Sequence, residues 1–137
     1  MRRPPAEMLE GYRAFLILRD GQLFLAGGTP GGDYQPQWNV QSITNILDFG
    51  MDVQTAAETP RWASVPGTDP DTIDQPFLVH LERFAPQVGA ELERRGHRIR
   101  WLPPWQGPGA IQLIMRDAHG TLHGGSDPRA DGVALGF

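Results

Sequence analysis

The chain has 137 residues, a length that suits one compact domain over residues 1–137. Its formal charge is −4, all 12 basic residues are arginine, and no basic tract stands out, so nucleic acid is not expected as a partner. The absence of lysine excludes a lysine Schiff base and a P-loop lysine within this sequence, and the absence of cysteine excludes disulfides, thiolate nucleophiles and cysteine-based zinc sites.

Residues 1–11 read as irregular, set by Pro4, Pro5 and Gly11. Met1-Arg2-Arg3 is followed by prolines and acids and lacks the apolar core of a secretion signal. No apolar run approaches the roughly 20 residues of a membrane span, so no membrane partner is expected and a cytoplasmic location is favoured. Tyr12 to Arg19 predicts a strand, Asp20-Gly21 a hairpin turn, and Gln22 to Gly27 the returning strand. A glycine-rich turn, Gly27 to Gly32, lies at the end of that strand. Pro36 then suits the first turn of a helix, with Val40, Ile43, Ile46 and Leu47 on one face and Gly50 as its left-handed stop. Asp52 is placed to cap a short second helix that Pro60 ends.

Residues 63–75 read as an exposed loop, and Phe77 to Leu81 as a strand. Pro86 to Arg95 predicts a helix with Val88 and Leu92 inward and Gly96 as its stop. His97 to Leu102 alternates like a strand. Ala110 to Arg116 and Thr121 to Gly124 form a hairpin turning at Asp117-Ala118-His119-Gly120, and Val133 to Phe137 is a last strand. Hairpins with intervening helices point to an α+β fold, mostly antiparallel sheet with helices on its faces, or a layered αββα arrangement.

Gly27 to Gly32 is the most informative stretch. Glycines expose backbone N–H groups because no Cβ shields them. Ahead of a helix start, such groups favour negative charge, whether a bound anion or the oxyanion of an acyl-transfer transition state. The alternative is a tight strand-to-helix turn with no ligand. The stretch lacks Gly-x-Gly-x-x-Gly and no Gly-Lys-Ser/Thr follows, so it is not a dinucleotide or P-loop signature.

Other chemistry is thin. His80, His97, His119 and His123 lack tight ligand spacing, and Asp69, Asp71 and Asp74 depart from a calcium loop, so no metal is expected. Ser42, Ser64 and Ser126 are the only serines and none sits in Gly-x-Ser-x-Gly; a loop hydroxyl bonding its own backbone accounts for Ser126. Arg129 beside Asp127 and Asp131 reads as a loop-bracing ion pair, with anion binding by Arg129 or Arg61 as the alternative. Trp38, Trp62, Trp101 and Trp105 are candidates for core, interface or pocket, and Pro103-Pro104-Trp105 for an exposed apolar loop that meets another chain.

Several dispersed motifs then share one register. Gly28-Thr29-Pro30-Gly31-Gly32-Asp33, Gln35-Pro36-Gln37-Trp38-Asn39-Val40-Gln41 and Asn45-Ile46-Leu47-Asp48-Phe49-Gly50-Met51-Asp52 resemble the γ-glutamyltranspeptidase (γ-glutamyltransferase) small subunit. The likeness continues through Ala56-Ala57-Glu58-Thr59-Pro60-Arg61-Trp62, Leu92-Glu93-Arg94-Arg95-Gly96-His97 and Ser126-Asp127-Pro128-Arg129-Ala130-Asp131-Gly132. Asp33-Tyr34-Gln35-Pro36-Gln37-Trp38 is similar to the branch that includes acylase-like members. The resemblance implies part of an N-terminal-nucleophile (Ntn) hydrolase αββα sandwich, in which a new N-terminal threonine attacks a γ-glutamyl amide and passes the acyl group to water or an amino acid. It implies that the backbone N–H groups of Gly31 and Gly32 stabilise the oxyanion and that Thr29 and Asp33 bind substrate, with no cofactor and no metal.

The sequence also departs from that pattern. It begins at Met1 with no threonine-led strand, and Pro5-Ala6-Glu7-Met8-Leu9 falls where the family has paired serines that hold the substrate carboxylate. The expectation is a C-terminal small-subunit-like segment that carries the oxyanion turn without the nucleophile and is inactive alone. Its partner would be a complementary large-subunit-like chain, or a second copy through self-association, and its substrate a small amide. The alternative is a non-catalytic module of the same ancestry that oligomerises or binds a small anion.

Overall fold

A computed structural model describes residues 13–66, 77–107 and 109–136. The expectations for residues 1–12, for the loop at 67–76 with Asp69, Asp71 and Asp74, and for Phe137 lie outside them. Strands β1 (Arg13–Arg19) and β2 (Gln22–Thr29) form the first hairpin. Both turn residues, Asp20 at φ 52 and Gly21 at φ 74, take the left-handed conformation that a two-residue hairpin turn requires. Strands β6 (Gln112–Arg116) and β7 (Leu122–Ser126) form the second hairpin. The order β1-β2-β6-β7 makes one antiparallel four-stranded sheet.

Helices α1 (Tyr34–Leu47) and α2 (Val53–Glu58) lie against this sheet. Leu25, Ile111 and Leu113 of the sheet side meet Ile46, Val53, Ala56 and Ala57 of the helices in the core. The opposite face of the sheet is apolar and, among the described residues, covered only at Gly124, where Ala134 lies over it. Leu16, Ala26 and Ile114 align across three strands, with Leu16 70% and Ile114 47% exposed.

A second sheet has the order β3 (Arg61–Val65), β4 (Leu78–Glu82), β5 (Ile99–Leu102). β3 and β4 are antiparallel, while β4 and β5 are parallel and joined through helix α3 (Pro86–Arg94). The whole is an α+β arrangement dominated by antiparallel pairing, as the sequence predicts.

Glutamine side chains join helices to strand edges. Gln37 Nε2 donates to the Ser64 carbonyl at 3.1 Å while its Oε1 accepts from the Ser64 N–H at 2.7 Å. One helical turn on, Gln41 makes the same pair with Trp62, at 2.9 and 3.1 Å. Gln54 of α2 does so with Ser126 of β7, both bonds at 3.0 Å. Each primary amide copies a neighbouring strand's peptide group, so the edge is satisfied without another strand.

Five expectations need correction. Residues 61–65 are strand β3, with Ala63 buried, and not the start of a loop. β2 runs past Gly27 to include Gly28 and Thr29 in the ladder, so the turn begins at Pro30. Helix α1 buries Gln35, Trp38, Ser42 and Ile46 and leaves Val40 62% exposed, because insertion of the Trp38 ring fixes which side faces in. In α3 the inward position is Gly89 and not Val88, since a Cβ at Gly89 would sit 2.4 Å from the Trp101 ring. Residues 133–136 are not a strand. Ala134 instead lies over the sheet face away from the helices, 2.6 Å from where a Gly124 Cβ would be.

Two expected outcomes follow from these contacts. Gln37→Leu strands the partly buried N–H and C=O of Ser64 and should lower stability by about 1–3 kcal/mol in urea unfolding. The Asp52 carboxylate caps α2 through the Thr55 hydroxyl and the N–H groups of Thr55 and Gln54, which hold its pKa below the ordinary value. Asp52→Ala should cost about 1 kcal/mol at neutral pH. That contribution is complete above the ordinary carboxylate pKa and fades as the pH falls through the lowered one, so wild type and variant should converge in acid.

Candidate active site

The chain leaves β2 through a clamped turn. Gly27 is held in the ladder because a Cβ would meet Leu113 at 2.6 Å and Phe15 at 2.8 Å. Thr29 is fully buried, and its hydroxyl donates to the Pro30 carbonyl at 2.8 Å. Gly31 at φ +127 and Gly32 at φ +53 take conformations that side-chain-bearing residues rarely adopt. Their carbonyls turn toward α1 and accept from the N–H groups of Tyr34 at 3.0 Å and Gln35 at 3.1 Å. Neither glycine's own N–H donates to a group among the described residues.

The Trp38 ring, only 3% exposed, supports this turn from below. A Cβ on Gly31 would come 3.0 Å from it, and one on Gly109 would come 2.5 Å from it and 2.7 Å from the Pro30 carbonyl. Tyr34 stacks on Trp38 with centroids 4.9 Å apart. Asp33, exposed at the N-cap of α1, makes no side-chain bond to the helix. The four residues singled out by sequence, Thr29, Gly31, Gly32 and Asp33, therefore occupy one turn at a helix N-terminus, where the dipole adds to the pull of the amides on negative charge.

A buried charge network lies behind it. The Arg61 guanidinium pairs with Asp127, and its Cζ lies 5.6 Å from the Trp38 ring centroid. Arg129 pairs with Glu82 at 2.6 Å and with Asp127 at 3.0 Å, with none of its side chain exposed. Two cations and two carboxylates leave the group neutral. Most of the remaining polar atoms find backbone partners, while Arg61 Nη1 is buried without one among the described residues. Asp127 accepts from the Ile111 N–H at 2.9 Å, Glu82 from the Trp105 N–H at 2.6 Å, and Arg129 donates to the carbonyls of Ala57 and Thr59. Burial lowers the Arg61 pKa, and the Asp127 carboxylate works against that shift.

The anion-binding alternative for Arg61 and Arg129 is thereby corrected: both guanidinium groups are enclosed and committed to carboxylates and helix-end carbonyls. The loop-bracing pair stands for Asp127, but the second partner of Arg129 is Glu82 and not Asp131. Ser126 does not bond its own backbone through its hydroxyl; Oγ is buried without a partner among the described residues, against Gly132. His123 pairs with Asp117 at 3.1 Å beside the turn at 117–120.

Trp105 has φ 62 and lies under the Arg83 guanidinium at 3.5 Å, which makes Pro103-Pro104-Trp105 a braced loop. Tyr34 and Arg100 escaped the sequence reading. Their proximity depends on which strands pair, and no local pattern carries that.

Breaking the network should be costly. Arg129→Met leaves Glu82 and Asp127 short of a buried partner and should lower unfolding free energy by about 3–5 kcal/mol in chemical denaturation. Arg129→Lys should recover little of it, because one ammonium cannot reproduce the fork that reaches both acids and two carbonyls.

Comparison with known proteins accords with this geometry. The sequence profile described as Gamma-glutamyltranspeptidase matches residues 2–137. The glutathione hydrolase-like YwrD proenzyme of Bacillus subtilis is 35% identical over 123 residues, which are 89% of this chain and 23% of that protein. The γ-glutamyltranspeptidase of Pseudomonas nitroreducens, solved in complex with L-DON, superposes with a TM-score of 0.74 at 27% identity over 99% of this chain and 67% of its own. A cephalosporin acylase from Bacillus halodurans superposes with the same TM-score, 0.74, at 32% identity over 86% of this chain and 21% of its own. The chain thus spans about a quarter or less of the full-length curated relatives it matches. With the glycine turn, the capped second helix and the flanking motifs matched in one continuous register, the chain belongs to the γ-glutamyltranspeptidase family of Ntn hydrolases.

Proposed function

We propose that this chain supplies the oxyanion-stabilising turn for acyl transfer from a γ-glutamyl amide to water or an amino acid. The supporting observation is the orientation at residues 31 and 32: both carbonyls serve α1, and both amide hydrogens are left without a partner among the described residues. In this reading the attacking threonine comes from outside these 137 residues. Its hydroxyl adds to the amide carbon while its own amine takes the proton. Negative charge gathers on the carbonyl oxygen, where the two N–H groups receive it. The leaving amine takes the proton as the tetrahedral species collapses, and water or an amino acid then attacks the acyl-threonine. Asp33 at the rim meets a cationic substrate group, while Thr29 acts from beneath by holding the Pro30 carbonyl.

A complementary polypeptide, carrying the threonine-led start of the small subunit and the large-subunit-like layers, brings the nucleophile and covers the apolar sheet face around Leu16, Ala26 and Ile114. The test is hydrolysis of a γ-glutamyl anilide. These residues alone should give no turnover. Joined to a threonine-initiated partner they should turn over, and Gly31→Ala, which pushes the turn off Trp38, should lower kcat by about 10²–10³ with little change in KM. Turnover that survives replacement of both glycines would refute the assigned role.

A further inference from the structure

A surface cleft of about 460 Å³ opens between α3 and the loops that follow β4 and β5. Phe84, Pro86, Ala90 and Trp101 give it apolar walls, and Glu93 and Arg83 are its two charged side chains. The Trp101 ring lies against the α3 backbone at Gly89, where a Cβ would come 2.4 Å from it, yet the residue is still 45% exposed.

The charges around this cleft are unevenly matched. On α3, Glu91 is taken by Arg94, at 2.7 and 2.8 Å, and by Arg95 at 2.7 Å. Arg83 stacks on Trp105 at 3.5 Å and donates to the Glu58 carbonyl, and neither of those partners lines the cleft. The exposed Glu93 carboxylate is left without a cation among the described residues. Rings elsewhere in the chain carry a guanidinium: Arg19 lies 3.8 Å from the Phe24 centroid, and Arg61 lies 5.6 Å from that of Trp38. Trp101 has none among the described residues.

We propose that this cleft seats an arginine side chain of a partner polypeptide, with the guanidinium stacked on Trp101 and hydrogen-bonded to Glu93. A guanidinium is flat enough to lie on an indole, weakly hydrated, and forked to meet a carboxylate. Its aliphatic stem runs along Phe84, Pro86 and Ala90. A lysine ammonium meets Glu93 but cannot stack, and an anionic or purely apolar ligand leaves Glu93 without a counterion. Arginine is also among the side chains that most often anchor protein interfaces. The pairing is independent of the acyl-transfer reading, because neither Trp101 nor Glu93 belongs to the glycine turn.

The experiment titrates the full chain with acetyl-Gly-Arg-Gly-amide and with its citrulline and lysine counterparts, following the Trp101 indole N–H in NMR. Citrulline keeps the shape of arginine and lacks its charge. The arginine peptide should shift that signal saturably and bind about tenfold or more tightly than the citrulline peptide. Glu93→Gln should bring arginine down to the citrulline level with the unfolding midpoint unchanged, since the carboxylate braces nothing among the described residues. Trp101→Leu, read at the Gly89 amide, should remove the preference for arginine over lysine.

Equal affinity for arginine and citrulline, or an arginine preference that persists in Glu93→Gln, would overturn the inference. So would a shift of the Trp101 indole on concentrating the chain without peptide, lost in Glu93→Gln, since it would put a second copy's side chain in the cleft.

Discussion

Asp127 is the constraint on which both sheets depend. Its carboxylate joins Arg61 of β3, Arg129 of the loop after β7, and the Ile111 amide that leads into β6. Through Arg129 the same group reaches Glu82 at the end of β4, and through Glu82 the amide of Trp105. The end of α2 is drawn in as well, since Ala57, Glu58 and Thr59 give their carbonyls to Arg129, Arg83 and Arg61. Positive groups at a helix C-terminus oppose the dipole there. Placing so many elements on one buried carboxylate carries a large desolvation penalty, which is offset only because every charge has an opposite neighbour.

The position of the glycine turn follows from that anchoring. Arg61 is fixed by Asp127 and in turn lies under Trp38; Trp38 fixes Gly31 and Gly109, and so the direction of the peptide groups at 31 and 32. A rigid support of this kind is what electrostatic stabilisation of a transition state requires, because donors that must reorganise lose most of their value. The motifs around Thr59-Pro60-Arg61 and Ser126-Asp127-Pro128-Arg129 are therefore parts of the mounting behind the glycine turn.

Local chemistry was readable in the sequence wherever one residue decides the conformation. Asp20-Gly21 turns the first hairpin, Asp52 caps α2, Gly50 follows α1 at φ 67, and Pro86 opens α3. The glycine turn was legible for the same reason. What escaped depends on contacts between distant segments. The inward face of α1 is decided by where a tryptophan ring fits, and polar Gln35 and Ser42 take positions that apolar periodicity assigns to Val40 and Leu47. The partner of Arg129 lies 47 residues away on another strand. Arg100 gains its neighbours only through the parallel pairing of β4 with β5.

The glutamine contacts also give the four-stranded sheet a polarity of growth. At Ser126 the rim of β7 is already occupied by the amide of Gln54. Along β1 no described residue stands in the way. A further strand meets an open edge beside Arg13–Arg19, whereas beside β7 it would have to displace Gln54 at the Ser126 end.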